Sequence, residues 1–84
     1  MPTALVTGAN RGLGLAFVEA LNERGWQVFG TAREPDSADE LRAALSPERV
    51  LPLDLEEPGS IAELKRALGS TPLDLMLNNG ALTT

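Results

Sequence analysis

An α/β fold built on a doubly wound parallel sheet is what this sequence predicts. Three observations predict it. Short apolar runs alternate with segments of helical period along the whole chain, in the order βαβαβαβ. A glycine-rich turn stands between the first run and the first helical segment. No linker, repeat or low-complexity stretch breaks the alternation, so no internal domain boundary is expected within residues 1–84. Parallel neighbours need crossovers, and right-handed ones predominate. In a doubly wound sheet the first four strands then take the order 3-2-1-4.

The first strand is Thr3-Ala4-Leu5-Val6-Thr7, apolar and ended by Gly8. From Gly12 the period changes. Leu13, Phe17 and Leu21 recur four apart, with Ala16 and Ala20 beside them and Glu19, Asn22 and Glu23 opposite. That spacing predicts an amphipathic helix with Leu13, Phe17 and Leu21 on its apolar face, and Gly25 placed to end it. Gln27-Val28-Phe29-Gly30-Thr31 is the second strand. Ser37-Ala38-Asp39-Glu40 has the form of a capping box. Leu41, Ala44 and Leu45 continue a short helix that Ser46-Pro47 stops.

Val50 to Leu55 reads as the third strand, with Pro52 tolerable only at a sheet edge or near the strand start. Pro58 suits a first helical turn. Ile61, Leu64 and Leu68 form the stripe of a third helix, with Gly69 after it. Leu73-Asp74-Leu75-Met76-Leu77 is the fourth strand. Trp26, the sole tryptophan, precedes a strand and reads as a packing residue.

Composition narrows the functions. The chain has 84 residues, 43% hydrophobic and 23% charged, as in an ordinary globular domain. A chain this short buries only about 60–65% of the surface it exposes when unfolded, so its core is thin. Cysteine and histidine are absent, which excludes a disulfide, a Cys/His zinc site, and Ser-His or Cys-His catalysis. The net charge of −5 speaks against nucleic-acid and anionic-membrane partners, since both need a basic footprint. No apolar run approaches the roughly 20 residues of a membrane span, and no signal-peptide pattern opens the chain. A cytoplasmic location is the expectation.

The strongest chemical signal is Thr7-Gly8-Ala9-Asn10-Arg11-Gly12-Leu13-Gly14. Strand, glycine turn and helix N-terminus together make an anion site. Glycines let backbone approach a pyrophosphate, and the free amides and the helix dipole face it. The spacing is G-x-x-x-G-x-G, neither the G-x-G-x-x-G fingerprint nor a G-x-x-x-x-G-K-[ST] loop. The plainer reading is a turn whose glycines only permit close packing. Its place between strand and helix makes that the weaker one.

This loop resembles the cofactor loop of the short-chain dehydrogenase/reductase family. Three further matches follow in order: Ala32-Arg33 after the second strand, Asp54-Leu55 at the end of the third, and Asn78-Asn79-Gly80-Ala81 after the fourth. The run Gly8-Ala9-Asn10-Arg11-Gly12-Leu13-Gly14-Leu15 is similar to the carbonyl-reductase and C-factor-like members. The resemblance covers the whole chain but only the N-terminal, cofactor-binding part of the family's Rossmann-like domain.

The resemblance implies roles residue by residue. Gly8, Gly12 and Gly14 shape the pyrophosphate loop. Leu13 offers its backbone, while its side chain is expected in the core. Asn10 either hydrogen-bonds a ribose or phosphate or simply holds the turn. Arg33, with Arg11 in the loop, is placed to accept a 2′-phosphate, which favours NADP(H). The alternative is two surface arginines, with Glu34 reading the ribose of NAD(H). Asp54 would hydrogen-bond the adenine amino group and Leu55 pack beside the ring; a strand-end carboxylate capping the next helix is the plainer reading. Glu56 and Glu57 fit capping, and the three acids are not read as a metal site. Asn78 and Asn79 would tie the fourth strand to its neighbour, and Asn79, Gly80 and Ala81 would meet the nicotinamide-side ribose. The family usually has Asn-Asn-Ala-Gly, so Gly80 and Ala81 stand exchanged.

The family transfers hydride between NAD(P)H and a carbonyl or alcohol, using a Tyr-x-x-x-Lys motif and a serine. This chain has no tyrosine, and its only lysine, Lys65, falls on a polar helix face. No catalytic residue is assigned. The expectation is therefore an incomplete domain that binds a dinucleotide. Its apolar fourth strand at a sheet edge predicts either a homo-oligomer or a missing C-terminal half. Two alternatives stay open: a non-catalytic NADP(H) sensor, and a half-domain acting as an assembly unit.

Overall fold

A computed structural model describes residues 1–10 and 12–78. The elements are β1 (Thr3–Val6), α1 (Gly12–Glu23), β2 (Gln27–Ala32), α2 (Asp39–Ala44), β3 (Val50–Pro52), α3 (Ser60–Leu68) and β4 (Leu75–Leu77). Short 3₁₀ turns at Pro35–Ser37 and Pro47–Arg49 flank α2. All strands are parallel, in the order β3-β2-β1-β4, as the alternating pattern predicts. Pro52 sits on β3, an edge strand, where a missing N–H is tolerated. No helix among the described residues is long and apolar enough to cross a membrane.

Two apolar layers cover the sheet. Val6 and Val28 meet Leu15 and Val18 of α1 and Leu41 of α2 on one face, with Leu45 and Val50 alongside. Leu5 meets Leu53 and Leu64 on the other, where α3 packs with Phe29 and Leu51. The alternation of Leu5 and Val6 to opposite faces is the strand period of two. All four residues of β1 are buried, because helices lie on both faces and strands on both edges.

The core-facing side of α1 differs from the one its sequence suggests. Gly14, Leu15 and Val18 are buried, whereas Leu13 is 64% exposed and Phe17 is exposed as well. Leu15 and Val18 share one core cluster with Val6 of β1 and Val28 of β2, so the helix seats on that side. Leu21 is half-buried, and with Phe17, Ala20 and Arg24 it lines a groove against Leu75 and Leu77 of β4. Ile61 is likewise exposed, leaving Leu64 and Leu68 to carry the α3 contact.

Local hydrogen bonding explains the other departures. The expected capping box at Ser37 and Glu40 does not form: Ser37 closes a 3₁₀ turn, Ala38 caps α2, and no side chain caps it. Pro58 lies outside α3, which starts at Ser60 after Gly59. β3 stops at Pro52 rather than Leu55. The Leu53 N–H still reaches the Ala32 carbonyl at 3.0 Å, but Asp54 then turns the chain, its N–H donating to Ser60 Oγ at 2.8 Å. β4 starts at Leu75 rather than Leu73. Asp74 Oδ2 accepts the Thr3 N–H at 2.8 Å, so a side chain replaces a ladder bond there.

α1 ends as its glycine predicts. Gly25 has φ +85°, its N–H donates to the Asn22 carbonyl at 3.1 Å, and the Trp26 N–H donates to the Leu21 carbonyl at 3.1 Å. These two bonds define a Schellman motif, with Trp26 and Leu21 both resting on the core. Gly25→Ala is expected to destabilise by about 1 kcal/mol and lower the melting midpoint by roughly 4–8 °C, because L-residues resist the left-handed region. The seating of α1 gives a second test. Val18→Ala removes fully buried methyls and should cost about 2 kcal/mol, against less than about 0.5 kcal/mol for Leu13→Ala, in urea melts.

Candidate functional site

Because every strand runs the same way, the segments that leave them gather at one end of the sheet. Gly8 to Gly14 follow β1, Arg33 follows β2, Asp54 follows β3 and Asn78 follows β4. The chain winds from β1 to β3 in one direction, then crosses to place β4 on the far side of β1. The reversal falls between β1 and β4, and clefts at such switch points are where open α/β sheets bind ligands.

The glycine loop turns from β1 into the N-terminus of α1 on glycine backbone angles. Gly8 and Gly12 have φ of +60° and +61°, a region that side chains resist. At Gly12 an added Cβ would meet nothing within 4 Å among the described residues, so conformation rather than crowding calls for glycine. α1 begins there with no acidic residue in its first turn, so its positive end is not offset locally. Asn10 is half-buried, and Leu13, expected to bury its side chain, instead exposes it while its backbone stands in the helix's first turn. Gly14, in the same turn of α1, is buried.

The loop is tied back to the sheet by threonines. Thr31 Oγ1 accepts the Gly8 N–H at 3.2 Å, and the Thr31 carbonyl accepts the Ala9 N–H at 2.8 Å. Thr7 Oγ1 donates to Asn78 Oδ1 at 3.1 Å, and the Thr7 N–H donates to the Leu77 carbonyl at 3.0 Å. Asn78 thus joins the end of β4 to the end of β1. Thr31 was not among the residues singled out by sequence. Its signal is a hydroxyl at the end of the apolar run Val28-Phe29-Gly30 of a central strand, just before Ala32-Arg33.

Arg33 and Asp54 come together. Arg33 Nε lies 3.7 Å from Asp54 Oδ2, with side-chain exposures of 71% and 28%. So exposed a pair contributes little to stability. Asp54 Oδ1 meanwhile accepts the Glu56 N–H at 3.0 Å, a turn-holding bond of the kind that short acids make. Leu55 and Glu34 are both exposed beside this pair. Arg11, Asn79, Gly80 and Ala81 lie outside the described residues.

These features are those of a dinucleotide-binding α/β oxidoreductase fold. The family model for short chain dehydrogenases matches residues 2–84, and the chain belongs to that family. A Haemophilus influenzae protein named "Probable NADP-dependent dehydrogenase" is 39% identical over 85 residues, covering 95% of this chain and 33% of the relative. The 3-oxoacyl-[acyl-carrier-protein] reductase FabG of Escherichia coli is 35% identical over 83 residues, covering 95% of this chain and 34% of the enzyme. A carbonyl reductase from Pseudomonas aeruginosa, solved in complex with NADP, superposes with a TM-score of 0.81 at 33% identity, covering 95% of this chain and 39% of that one. The chain spans about a third of the length of the curated relatives it matches.

Gly30 shows how tightly the loop rests on β2. A Cβ there would meet Ala9 Cβ and Leu41 Cδ1, each at 3.1 Å. Ala9 is fully buried and carries the loop backbone with it. Gly30→Ala should therefore cost about 1–3 kcal/mol, read as a lower urea midpoint with an unchanged slope.

Proposed function

We propose that this chain is the NADP(H)-binding portion of a short-chain oxidoreductase. The observation that carries the reading is the glycine loop. It leaves β1 at the switch point with two left-handed glycines and opens directly into the N-terminus of α1. Gly8, Gly12 and Gly14 would shape the seat of the pyrophosphate, with Asn10 and the Leu13 backbone beside it. Arg33, and Arg11 from the loop, would take the 2′-phosphate. Asp54 and Leu55 would meet the adenine, and Asn79, Gly80 and Ala81 the ribose next to the nicotinamide. When bound, the nicotinamide group supplies or accepts hydride. This chain's own residues bind and orient it.

The full reaction, between NADPH and a carbonyl or alcohol, needs an acid/base group that these 84 residues do not carry as a tyrosine. The reading therefore assigns the chain binding and no catalytic step. Preference for NADP(H) over NAD(H) is supported by the exposed Arg33 after β2 and by the NADP bound to the Pseudomonas aeruginosa reductase. A cytoplasmic location belongs to the same proposal. So does a covering partner for β4, either a second copy or a C-terminal half, since Met76 of that edge strand and Leu73, two residues before it, are exposed.

Calorimetric titration of the chain with NADPH and NADH tests the reading. NADPH should bind more tightly. Arg33→Gln should lower NADPH affinity about tenfold and leave NADH within about twofold, because a charge-assisted bond to the 2′-phosphate is lost. Equal affinities in the wild type, or an Arg33→Gln variant that keeps its preference, would remove the NADP assignment. A folded chain that binds neither dinucleotide favours the assembly-unit reading, for which the open β4 edge speaks.

A further inference from the structure

We infer that Thr31 is a positioning residue for the pyrophosphate seat, and that its hydroxyl sets dinucleotide affinity without touching the ligand. The inference rests on the cofactor-binding reading above. Thr31 is 1% exposed and lies in β2, an interior strand paired to β1 on one side and to Leu51 of β3 on the other. Its backbone is thereby fixed. From that place it takes two consecutive amides of the loop. The hydroxyl oxygen accepts the Gly8 N–H at 3.2 Å, and the carbonyl accepts the Ala9 N–H at 2.8 Å.

Those two bonds fix the peptide planes on either side of Gly8, whose φ is +60°. Glycine at that angle has no side chain to hold it, so its conformation is set by its hydrogen bonds. The next residue, Ala9, is fully buried, and its Cβ stands 3.1 Å from where a Gly30 Cβ would be. The loop thus leaves β1 on a path dictated by β2, and α1 starts three residues beyond Ala9. The direction in which the helix N-terminus faces an anion follows from that path. Replacing the hydroxyl by a methyl keeps the shape and removes the acceptor. The half-buried Gly8 amide then loses its Thr31 bond, and the loop is held less firmly to β2 at that point.

Two variants, Thr31→Val and Thr31→Ser, test this on the whole chain. Hydrogen exchange at single amides and parallel titrations with NADPH and NADH are the readouts. In Thr31→Val the Gly8 amide should exchange at least about tenfold faster while Ala9, bonded to the backbone carbonyl, keeps its protection. Both dinucleotides should weaken by the same factor, about five- to twentyfold, since the pyrophosphate is common to them. Thr31→Ser keeps the oxygen and should stay within about twofold of wild type.

Unchanged affinities in a folded Thr31→Val overturn the inference. So does a Thr31→Ser as weak as Thr31→Val, which would assign the effect to the methyl group's packing. A changed NADPH-to-NADH ratio also overturns it, since the effect would then run through the 2′-phosphate. A wild-type chain that binds neither dinucleotide overturns the proposed function and this inference together. A wild type that binds, beside a Thr31→Val that binds as well, overturns this inference alone.

Discussion

The double pairing of β1 is the constraint on which the site depends. β1 is hydrogen-bonded to β2 over Thr3 to Val6 and to β4 over Ala4 to Val6, with Leu5 and Val6 filling opposite layers. A slip of one residue would turn Leu5 and Val6 to the wrong faces, so burial enforces the register. The register in turn aligns the ends of four strands, and with them Gly8, Arg33, Asp54 and Asn78. Nothing in the loops themselves would bring these residues together, since they are far apart in sequence. Helix packing on both faces, not local turn chemistry, assembles the site.

The proposed function asks a chain of net charge −5 to hold a multiply charged anion. The resolution lies in range. Salt screens exposed charges beyond about 8 Å at physiological ionic strength, so the distant acids are weakly felt. In the proposed reading the loop would act at contact distance, through backbone amides and the helix end. No acid stands in the first turn of α1. Arg33 adds a cation at the second strand's end, where Asp54 faces its Nε.

Much of this was legible in the sequence, because the signals are local. Alternating periods fix the strand-helix order, Gly25 marks the end of α1, and the glycine loop falls in the turn after β1, where the strand order reverses. What was not legible depends on tertiary choice. α1 carries Leu13, Leu15, Phe17, Val18 and Leu21, an arc too wide for periodicity to say which side seats; the packing of Leu15 and Val18 against the sheet layer decided it. Asp74 and Asp54 ended strands early by giving carboxylate oxygens to backbone amides, which a run of apolar residues does not announce. The role of Thr31 needs β2 beside the loop, a neighbourhood that exists only after β1 and β2 have paired. The Ser37 capping box failed because the 3₁₀ turn at Pro35 had already claimed the Ser37 and Ala38 amides.

The bond from the Thr3 amide to Asp74 joins residues 71 apart. The comparable tie between β1 and β2, Thr3 Oγ1 to Gln27, spans 24. Chain-closure entropy rises with the logarithm of loop length, so drawing β4 to β1 from an unstructured chain costs about 1 kcal/mol more than drawing β2 there. That difference disappears if β1, β2 and β3 have already folded, because the crossovers then shorten the effective loop to the α3 segment. The topology therefore rewards one order of assembly. β4 adds to a sheet that exists, and Asp74 acts as the stop that sets how far along β1 it slides.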